Sequence, residues 1–176
     1  MRFLEKTART GMEKAFLLRP LRIGSVAVDP PLLLAPMAGY TSSSLRRLAR
    51  EFGCGMVFSE VISAKALLHK NPKTYRLMRF TEAERPIGIQ LLTGDPAEVK
   101  QAIKIALKLE PDVVDLNYGC PKPKVTRRGE GGALLEDQKR AVEVARAACE
   151  ASSVPVTVKM RLPRDFQLEG YISFCK

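Results

Sequence analysis

Apolar runs alternate with amphipathic segments along most of this chain. Continuous apolar runs predict five buried strands, at residues 32–35, 55–59, 86–92, 112–116 and 154–160. Helical segments between those runs predict four helices, at residues 45–52, 61–69, 97–109 and 138–151. Such an alternation is typical of a parallel sheet with helices packed on it. The pattern therefore predicts an α/β fold, either a doubly wound sheet or an α/β barrel.

The first and last segments indicate how far this fold extends. Residues 21–24 and 26–28 predict a small hairpin that closes the bottom of a barrel, and residues 1–20 predict a lead segment, either an amphipathic helix or a frayed tail. A complete (β/α)8 barrel takes about 250 residues, whereas this chain has 176 and ends after a possible helix at residues 167–175. We expect residues 21–176 to form one incomplete (β/α)8 TIM barrel, truncated after the fifth strand, with about five βα units.

Polar residues stand where two of the predicted helices begin. Residues 41–44, which read Thr-Ser-Ser-Ser, can cap the helix at 45–52. Residues 93–96, which read Thr-Gly-Asp-Pro, predict a turn and the start of the helix at 97–109, because proline suits the first turn of a helix. Both motifs therefore predict a sharp change from strand to helix.

A cysteine in a Gly-Cys-Pro turn follows the fourth predicted strand. The carboxyl ends of parallel strands are where α/β barrels keep their chemistry. Lys122 and Lys124 come directly after the turn and can meet an anionic substrate. The pattern predicts that Cys120 is catalytic, and the alternative is a small residue that fills a corner between strand and loop.

Composition adds limits on the class of protein. The chain is 45% hydrophobic and 27% charged, which allows a sizeable core. No apolar run approaches the ~20 residues that span a bilayer, so we expect no membrane partner. The four cysteines form no C-x-x-C pair, which argues against a metal site and favours reduced cysteines in a cytoplasmic enzyme. Cys54 and Cys149 are interpreted as structural, the latter as part of the core.

The charge is large and unevenly distributed. The net charge is +10, and residues 1–80 hold 14 Lys and Arg against 5 Asp and Glu, a balance of +9. Clustered basic side chains favour binding to nucleic acid, because neutralised phosphates release counterions. The alternative is an ordinary solvated surface. The cluster consists of Arg46, Arg47, Arg50, Lys65, Lys70, Lys73, Arg76 and Arg79.

Six ordered motifs across residues 21–162 carry a resemblance to a known family. They are Ala-Pro-Met-Ala-Gly-Tyr-Thr at 35–41, Phe-Ser-Glu-Val-Ile-Ser-Ala-Lys at 58–65, Gln-Leu at 90–91, Asp-Leu-Asn-Tyr-Gly-Cys-Pro at 115–121 with Lys-Val at 124–125, Gly-Gly-Ala-Leu-Leu at 131–135, and Val-Thr-Val-Lys-Met-Arg at 156–161. Together they resemble the tRNA-dihydrouridine synthase family, in its bacterial B-like branch.

The resemblance implies a flavin enzyme on a TIM barrel, with tRNA as its partner. Reduced FMN, recharged by NADPH, would give hydride to C6 of a uracil in tRNA, and Cys120 would protonate C5. Asn117 would orient the uracil or the flavin, and Lys124 would bind substrate. The residues implied to bind the flavin are Pro36, Met37, Ala38, Gln90 and Lys159.

Side-chain chemistry supports these implied roles. Gln90 offers a donor and an acceptor, which match the alternating edge of a flavin pyrimidine. Lys159 interrupts an apolar strand, so we expect a buried lysine that needs an anionic or acceptor partner, or else a strand-end lysine that reaches solvent. Cys120 must be a thiol to act as an acid, and an ordinary cysteine pKa of about 8.5 keeps it protonated at neutral pH.

The chain also departs from the family. After Leu162 it has Pro163-Arg164-Asp165 where the family usually has glycine, and we expect residues 166–176 not to resemble the family clearly. We expect this truncated chain to be inactive alone and to self-associate through open sheet edges. Two alternatives remain: another FMN-dependent barrel oxidoreductase that acts on a small metabolite, and a non-catalytic RNA-binding remnant.

Overall fold

The computed structural model describes residues 19–161, so most of the predicted lead segment and the predicted helix at 167–175 lie outside it. An antiparallel hairpin of β1 (Leu21–Ile23) and β2 (Val26–Val28) comes first, as predicted. A parallel sheet follows in the order β3-β4-β6-β7-β8, and β5 pairs with β6. Its strands are β3 (Leu33–Leu34), β4 (Met56–Phe58), β5 (Ile62–Ser63), β6 (Ile87–Leu92), β7 (Val113–Tyr118) and β8 (Val156–Met160).

Helices connect the parallel strands. The α-helices are α1 (Ser43–Glu51), α2 (Ala64–Leu68), α3 (Pro72–Leu77), α4 (Pro96–Ala106), α5 (Pro123–Thr126) and α6 (Gln138–Ala151). Three short 3₁₀ helices lie at Glu82–Glu84, Leu107–Leu109 and Gly131–Leu135. Strands β3, β5, β6 and β7 are each followed by helix, which is the order that a (β/α) barrel requires.

The helices cover one face of the sheet with the larger apolar core. Alternate residues of β6 and β7 point to that face, and Ile89, Leu91, Val114 and Leu116 are all buried there. Buried residues of α4 and α6 pack against them. This core is continuous because strands in a parallel sheet present apolar side chains to the helices that cross over them.

The opposite face, here called the inner face, is packed at the amino ends of the strands. Met56, Phe58 and Val113 form a second buried cluster with Val28 of the hairpin. A Cβ at Gly24 would lie 2.6 Å from Pro155, so the hairpin turn sits directly against the start of β8. The hairpin therefore closes the bottom of the inner face, as the sequence predicts.

Several local predictions need correction. The predicted helix at 61–69 is wrong at its start, because Ile62 pairs with Leu91 as strand β5 before the helix begins at Ala64. Ser42 occupies the cap position of α1, but its side chain makes no capping hydrogen bond. The second motif is confirmed, since Asp95 accepts hydrogen bonds from the backbone at the start of α4. Helices α3 and α5 were not predicted.

Candidate active site

A row of polar side chains crosses the inner face above the apolar cluster. Gln90, Asp115 and Thr157 lie on β6, β7 and β8, and the strand register places them side by side. The Gln90 amide nitrogen donates to Oδ2 of Asp115 at 2.6 Å, and the Thr157 hydroxyl donates to Oδ1 at 2.6 Å. Gln90 is 0% exposed and Asp115 is 3% exposed. These three residues are here called the polar row. Gln90 and Thr157 hold the Asp115 carboxyl group in a buried position on the inner face of the sheet.

The environment of Asp115 disfavours its charge. Burial raises the pKa of Asp115 to about 6, from an ordinary value of 3.8. Hydrogen bonds from Thr157 and Gln90, together with the charge of Lys159, oppose that rise without cancelling it. Perturbed carboxyl groups of this kind are concentrated at functional sites. Sequence reasoning missed Asp115 as a site residue, although an aspartate inside an apolar strand is a visible signal.

The polar row is connected to the cysteine turn through one side chain. Asn117, two residues further along β7, donates its amide nitrogen to Oε1 of Gln90 at 2.9 Å. Its carbonyl oxygen accepts from the backbone nitrogen of Gly119 at 3.1 Å and from that of Cys120 at 2.9 Å. Asn117 therefore orients the Gly-Cys-Pro turn. Its predicted role in orienting the uracil or the flavin stays a prediction.

A glycine-rich segment packs against the same turn. The backbone nitrogen of Gly132 donates to the Cys120 carbonyl at 3.0 Å. Gly131 has a φ of +61°, and a Cβ there would lie 2.9 Å from the Cys120 carbonyl oxygen. Glycine is thus required at 131 both for backbone conformation and for space. Cys120 itself is half-buried and carries a free thiol.

The loop after β3 reaches the same end of the sheet. Pro36 is half-buried, while Met37 and Ala38 are exposed. The hydroxyl of Thr41 accepts from the Met37 nitrogen and donates to the Met37 carbonyl, both at 3.1 Å, so the loop is closed on itself. A Cβ at Gly39 would meet no atom within 4 Å, which leaves open space beside the backbone. A flat ring can approach the chain closely at such a place.

The two candidate lysines are exposed to solvent. Lys159 lies on β8 in register with Asn117, on the same face as the polar row. Our expectation that Lys159 is buried is wrong, because this strand end is open to solvent in the residues that the structure describes. Lys124, in α5, is also exposed. Both ammonium groups are accessible to a ligand, and their predicted binding roles remain untested.

Arg46 corrects the predicted basic surface. It is 2% exposed, and its Nε donates to the buried carboxylate of Glu84 at 2.6 Å. It also donates to the carbonyl oxygens of Thr41 and Arg79. Arg46 therefore holds the fold together and does not face solvent as the sequence grouping implied. Sequence alone could not show this, because Glu84 is 38 residues away in the chain.

Other basic residues do reach the surface around a cavity of about 390 Å³. Arg76 and Arg79 line it together with Ser42 and Ser43, at the start of α1. Both arginines are exposed. The cavity also contains Glu60, which follows β4 and accepts from the backbone nitrogen of Gly39. It is therefore next to the Pro-Met-Ala-Gly loop.

The other singled-out residues lie away from this site. Cys149 is exposed on α6, so its interpretation as a core residue is wrong. Cys54 donates to the carbonyl oxygens of Leu32 and Met56, which agrees with a structural role. Within residues 19–161, no group of three or more acidic, histidine or cysteine side chains could hold a metal ion. No helix in that range is long and apolar enough to cross a membrane.

Comparison with known proteins now decides the family. The family model described as dihydrouridine synthase (Dus) matches residues 33–176. The chain belongs to the dihydrouridine synthase family. The match continues to residue 176, so our expectation that residues 166–176 do not resemble the family is wrong.

Individual relatives agree with this assignment. A probable tRNA-dihydrouridine synthase from Aquifex aeolicus (strain VF5) is 42% identical over 135 residues, which cover 74% of this chain and 42% of that protein. The tRNA-dihydrouridine synthase B of Pseudomonas aeruginosa is 36% identical over 141 residues, which cover 80% of this chain and 42% of that protein. The chain thus spans less than half the length of these relatives.

A solved structure supports the fold independently. The structure of histamine dehydrogenase from Rhizobium sp. 4-9 matches this chain with a TM-score of 0.64 at 16% identity. The match covers 92% of this chain and 36% of that protein. A likeness at this level of identity shows the fold alone. It confirms the predicted incomplete (β/α)8 barrel, of which the described residues form about five βα units.

Proposed function

We propose that this chain supplies the catalytic half of a flavin-dependent tRNA-dihydrouridine synthase, in which Cys120 is the proton donor. The observation that carries the proposal is the position of Cys120. Its backbone is held by Asn117 at the carboxyl end of β7, directly beside the polar row. Family membership and this placement support the same reaction class.

The residues around the turn fit a flavin ring. The open backbone at Gly39 and the exposed side chains of Met37 and Ala38 offer a surface along which a flat ring can lie. Lys159 places a cation at the same end of the sheet. Gln90 is 0% exposed and its amide is bonded to Asp115 and Asn117, so it would support the flavin site through these neighbours. When bound and reduced by NADPH, FMN would supply the hydride that goes to C6 of uracil.

Cys120 completes the addition across the C5–C6 double bond. Its thiol transfers a proton to C5, and the resulting thiolate regains a proton from solvent before the next turnover. A thiol suits this role only while it is protonated, and ordinary cysteine has a pKa of about 8.5. Lys124 follows the turn and would contact a phosphate of the RNA.

A basic surface next to the site fits a nucleic-acid substrate. Exposed Arg76 and Arg79 line the cavity beside the Pro-Met-Ala-Gly loop. Each phosphate that such side chains neutralise steepens the fall of affinity with salt, by about 0.7–0.9 in the log–log slope. We therefore expect tRNA binding to weaken steeply between low and moderate salt. Affinity that does not change over that range would mean that the charge is an ordinary solvated surface.

A two-stage assay tests the function. The 176-residue chain is first titrated with FMN by fluorescence quenching and incubated with NADPH and unmodified tRNA, and dihydrouridine is counted after digestion. The same assay is then run on a chimera in which residues 33–161 replace the matching segment of the Pseudomonas aeruginosa relative. Dihydrouridine from the chimera is the expected result. Failure of a folded, flavin-loaded chimera would contradict the proposal, and reduction of free pyrimidines instead would favour a metabolite enzyme.

The exposed edges of the sheet support a further part of this proposal. In the part of the chain that the structure describes, β3 and β8 are the outermost strands of the sheet. Apolar side chains are also exposed, among them Leu32, directly before β3, at 60% and Phe52, directly after α1, at 85%. Exposed strand edges and apolar patches promote association. We expect the protein to act in the cytoplasm and copies of the 176-residue chain to associate with one another. Light scattering measures this association, and a monodisperse monomer would contradict it.

A further inference from the structure

We infer that Asp115 is a positioning residue for Cys120, and that it acts through the side chains of Gln90 and Asn117. This inference rests on the proposed function for its catalytic meaning. The structural part stands on hydrogen bonds alone. These run from a carboxylate on β7 to an amide on β6, back to an amide on β7, and from there to the backbone of the cysteine turn.

The chain of hydrogen bonds has one direction at neutral pH. A carboxylate only accepts hydrogen bonds, so it requires the nitrogen end of the Gln90 amide. The oxygen end of Gln90 then faces Asn117 and requires the nitrogen end of that amide. The Asn117 oxygen is left to face the backbone nitrogens of Gly119 and Cys120, both of which are donors. Each amide orientation therefore follows from the acceptor at Asp115.

Burial makes this orientation consequential. Gln90 and Asp115 are almost completely buried, so water cannot replace a lost partner. A reversed amide at Gln90 would bring two donors together at Asn117 or at the turn, and an unsatisfied buried group is costly. The raised pKa of Asp115 reflects the same burial. The fold thus accepts a disfavoured carboxylate where it fixes the backbone that carries the thiol.

Three substitutions test the inference through amide exchange at Gly119 and Cys120. Asp115→Ala removes the acceptor, and we expect exchange at these two amides to rise about tenfold relative to amides of α4. Asp115→Asn can accept from Gln90 and donate to Thr157, so it should restore protection. Thr157→Val is the matched control, because it removes the other bond to Asp115 and leaves the path to Cys120 intact.

The outcomes separate positioning from general stability and from function. Unchanged exchange in Asp115→Ala, an equal rise across the whole chain, or no rescue by Asp115→Asn would each overturn the inference. If Asp115→Ala does not fold, Gln90→Met interrupts the same hydrogen-bonded path at the next residue, and we expect the same rise in exchange at Gly119 and Cys120.

In the chimera, Asp115→Ala should lower dihydrouridine formation while NADPH still reduces the flavin. A wild-type chimera without product would defeat the proposed function, whereas the exchange result would still decide the positioning role.

Discussion

Among the carboxyl groups that residues 19–161 bury, those of Glu84 and Asp115 are held in opposite ways. Glu84 faces the guanidinium of Arg46 at 2.6 Å, and both side chains are almost inaccessible. Asp115 is equally buried but receives hydrogen bonds from two neutral groups, Gln90 and Thr157. The first region, here called the arginine cluster, ties α1 to the 3₁₀ helix at Glu82–Glu84. The second is the polar row beside the cysteine turn.

The difference separates a structural role from a proposed functional one. A buried ion pair with all of its hydrogen bonds made is a rigid structural contact, and removing one partner leaves an uncompensated buried charge. A buried carboxylate with neutral partners keeps a perturbed pKa, and such groups are enriched at sites that bind or react. The arginine cluster therefore supports the Pro-Met-Ala-Gly loop through Thr41, whereas the polar row is connected to the cysteine turn of the candidate site through Asn117.

Removing the arginine tests the structural half of the comparison most severely. Arg46→Ala leaves the Glu84 carboxylate buried without its partner, and we expect a loss of about 3–5 kcal/mol in the free energy of unfolding. Urea unfolding measures the loss. Lys100→Ala is the matched control, because the Lys100–Glu150 pair is exposed and should contribute little to stability. Similar losses of unfolding free energy in the two variants would show that the arginine cluster does not stabilise the fold as a buried ion pair.

The pH dependence of stability tests the polar row. The pKa of Asp115 is raised to about 6 from 3.8, so the folded state binds this proton more tightly than the unfolded state does. Its favourable contribution is complete below about pH 4 and is lost as pH rises through about 6, by roughly 3 kcal/mol. Stability measured for wild type and for Asp115→Asn from pH 4 to pH 7.5 gives the difference. A difference that stays flat, or that favours wild type more as pH rises, would contradict the account.

The smallest expected effect is that of Thr157→Val, which sharpens the same test. The Thr157 hydroxyl is one of the groups that lower the pKa of Asp115. Its removal should therefore raise that pKa further and cost about 1 kcal/mol near neutral pH, with less cost below pH 5. Unfolding curves at the two pH values check this. An equal cost at both would mean that the hydroxyl stabilises packing rather than the carboxylate.

Most of the architecture follows from local patterns in the sequence. Strands β6, β7 and β8 and the long helices α4 and α6 lie within the predicted segments or within two residues of them. Continuous apolar runs and helical spacing specify such elements without knowledge of partners. Strand β5 was missed because its two residues gain their conformation from pairing with β6, which is a contact between distant segments.

The candidate site was predicted only in part. Cys120 and its turn were visible because strand, turn and proline are adjacent in sequence. An aspartate inside an apolar strand marks Asp115 as unusual, but its hydrogen-bond partners lie 25 and 42 residues away, so no local pattern could reveal what it does. Arg46 was grouped with surface arginines for the same reason, since its partner Glu84 is brought near only by the fold.

The proton-donor role of Cys120 is the central claim, and one substitution tests it directly. The chimera is prepared with Cys120→Ala and, as a control, with Cys149→Ala, which alters an exposed cysteine on α6. For each protein, flavin reduction by NADPH is followed by absorbance, and dihydrouridine is counted in digested tRNA. The account predicts normal flavin reduction in both variants, normal product from Cys149→Ala, and product formation that stalls in Cys120→Ala. Full product formation by Cys120→Ala would contradict the claim.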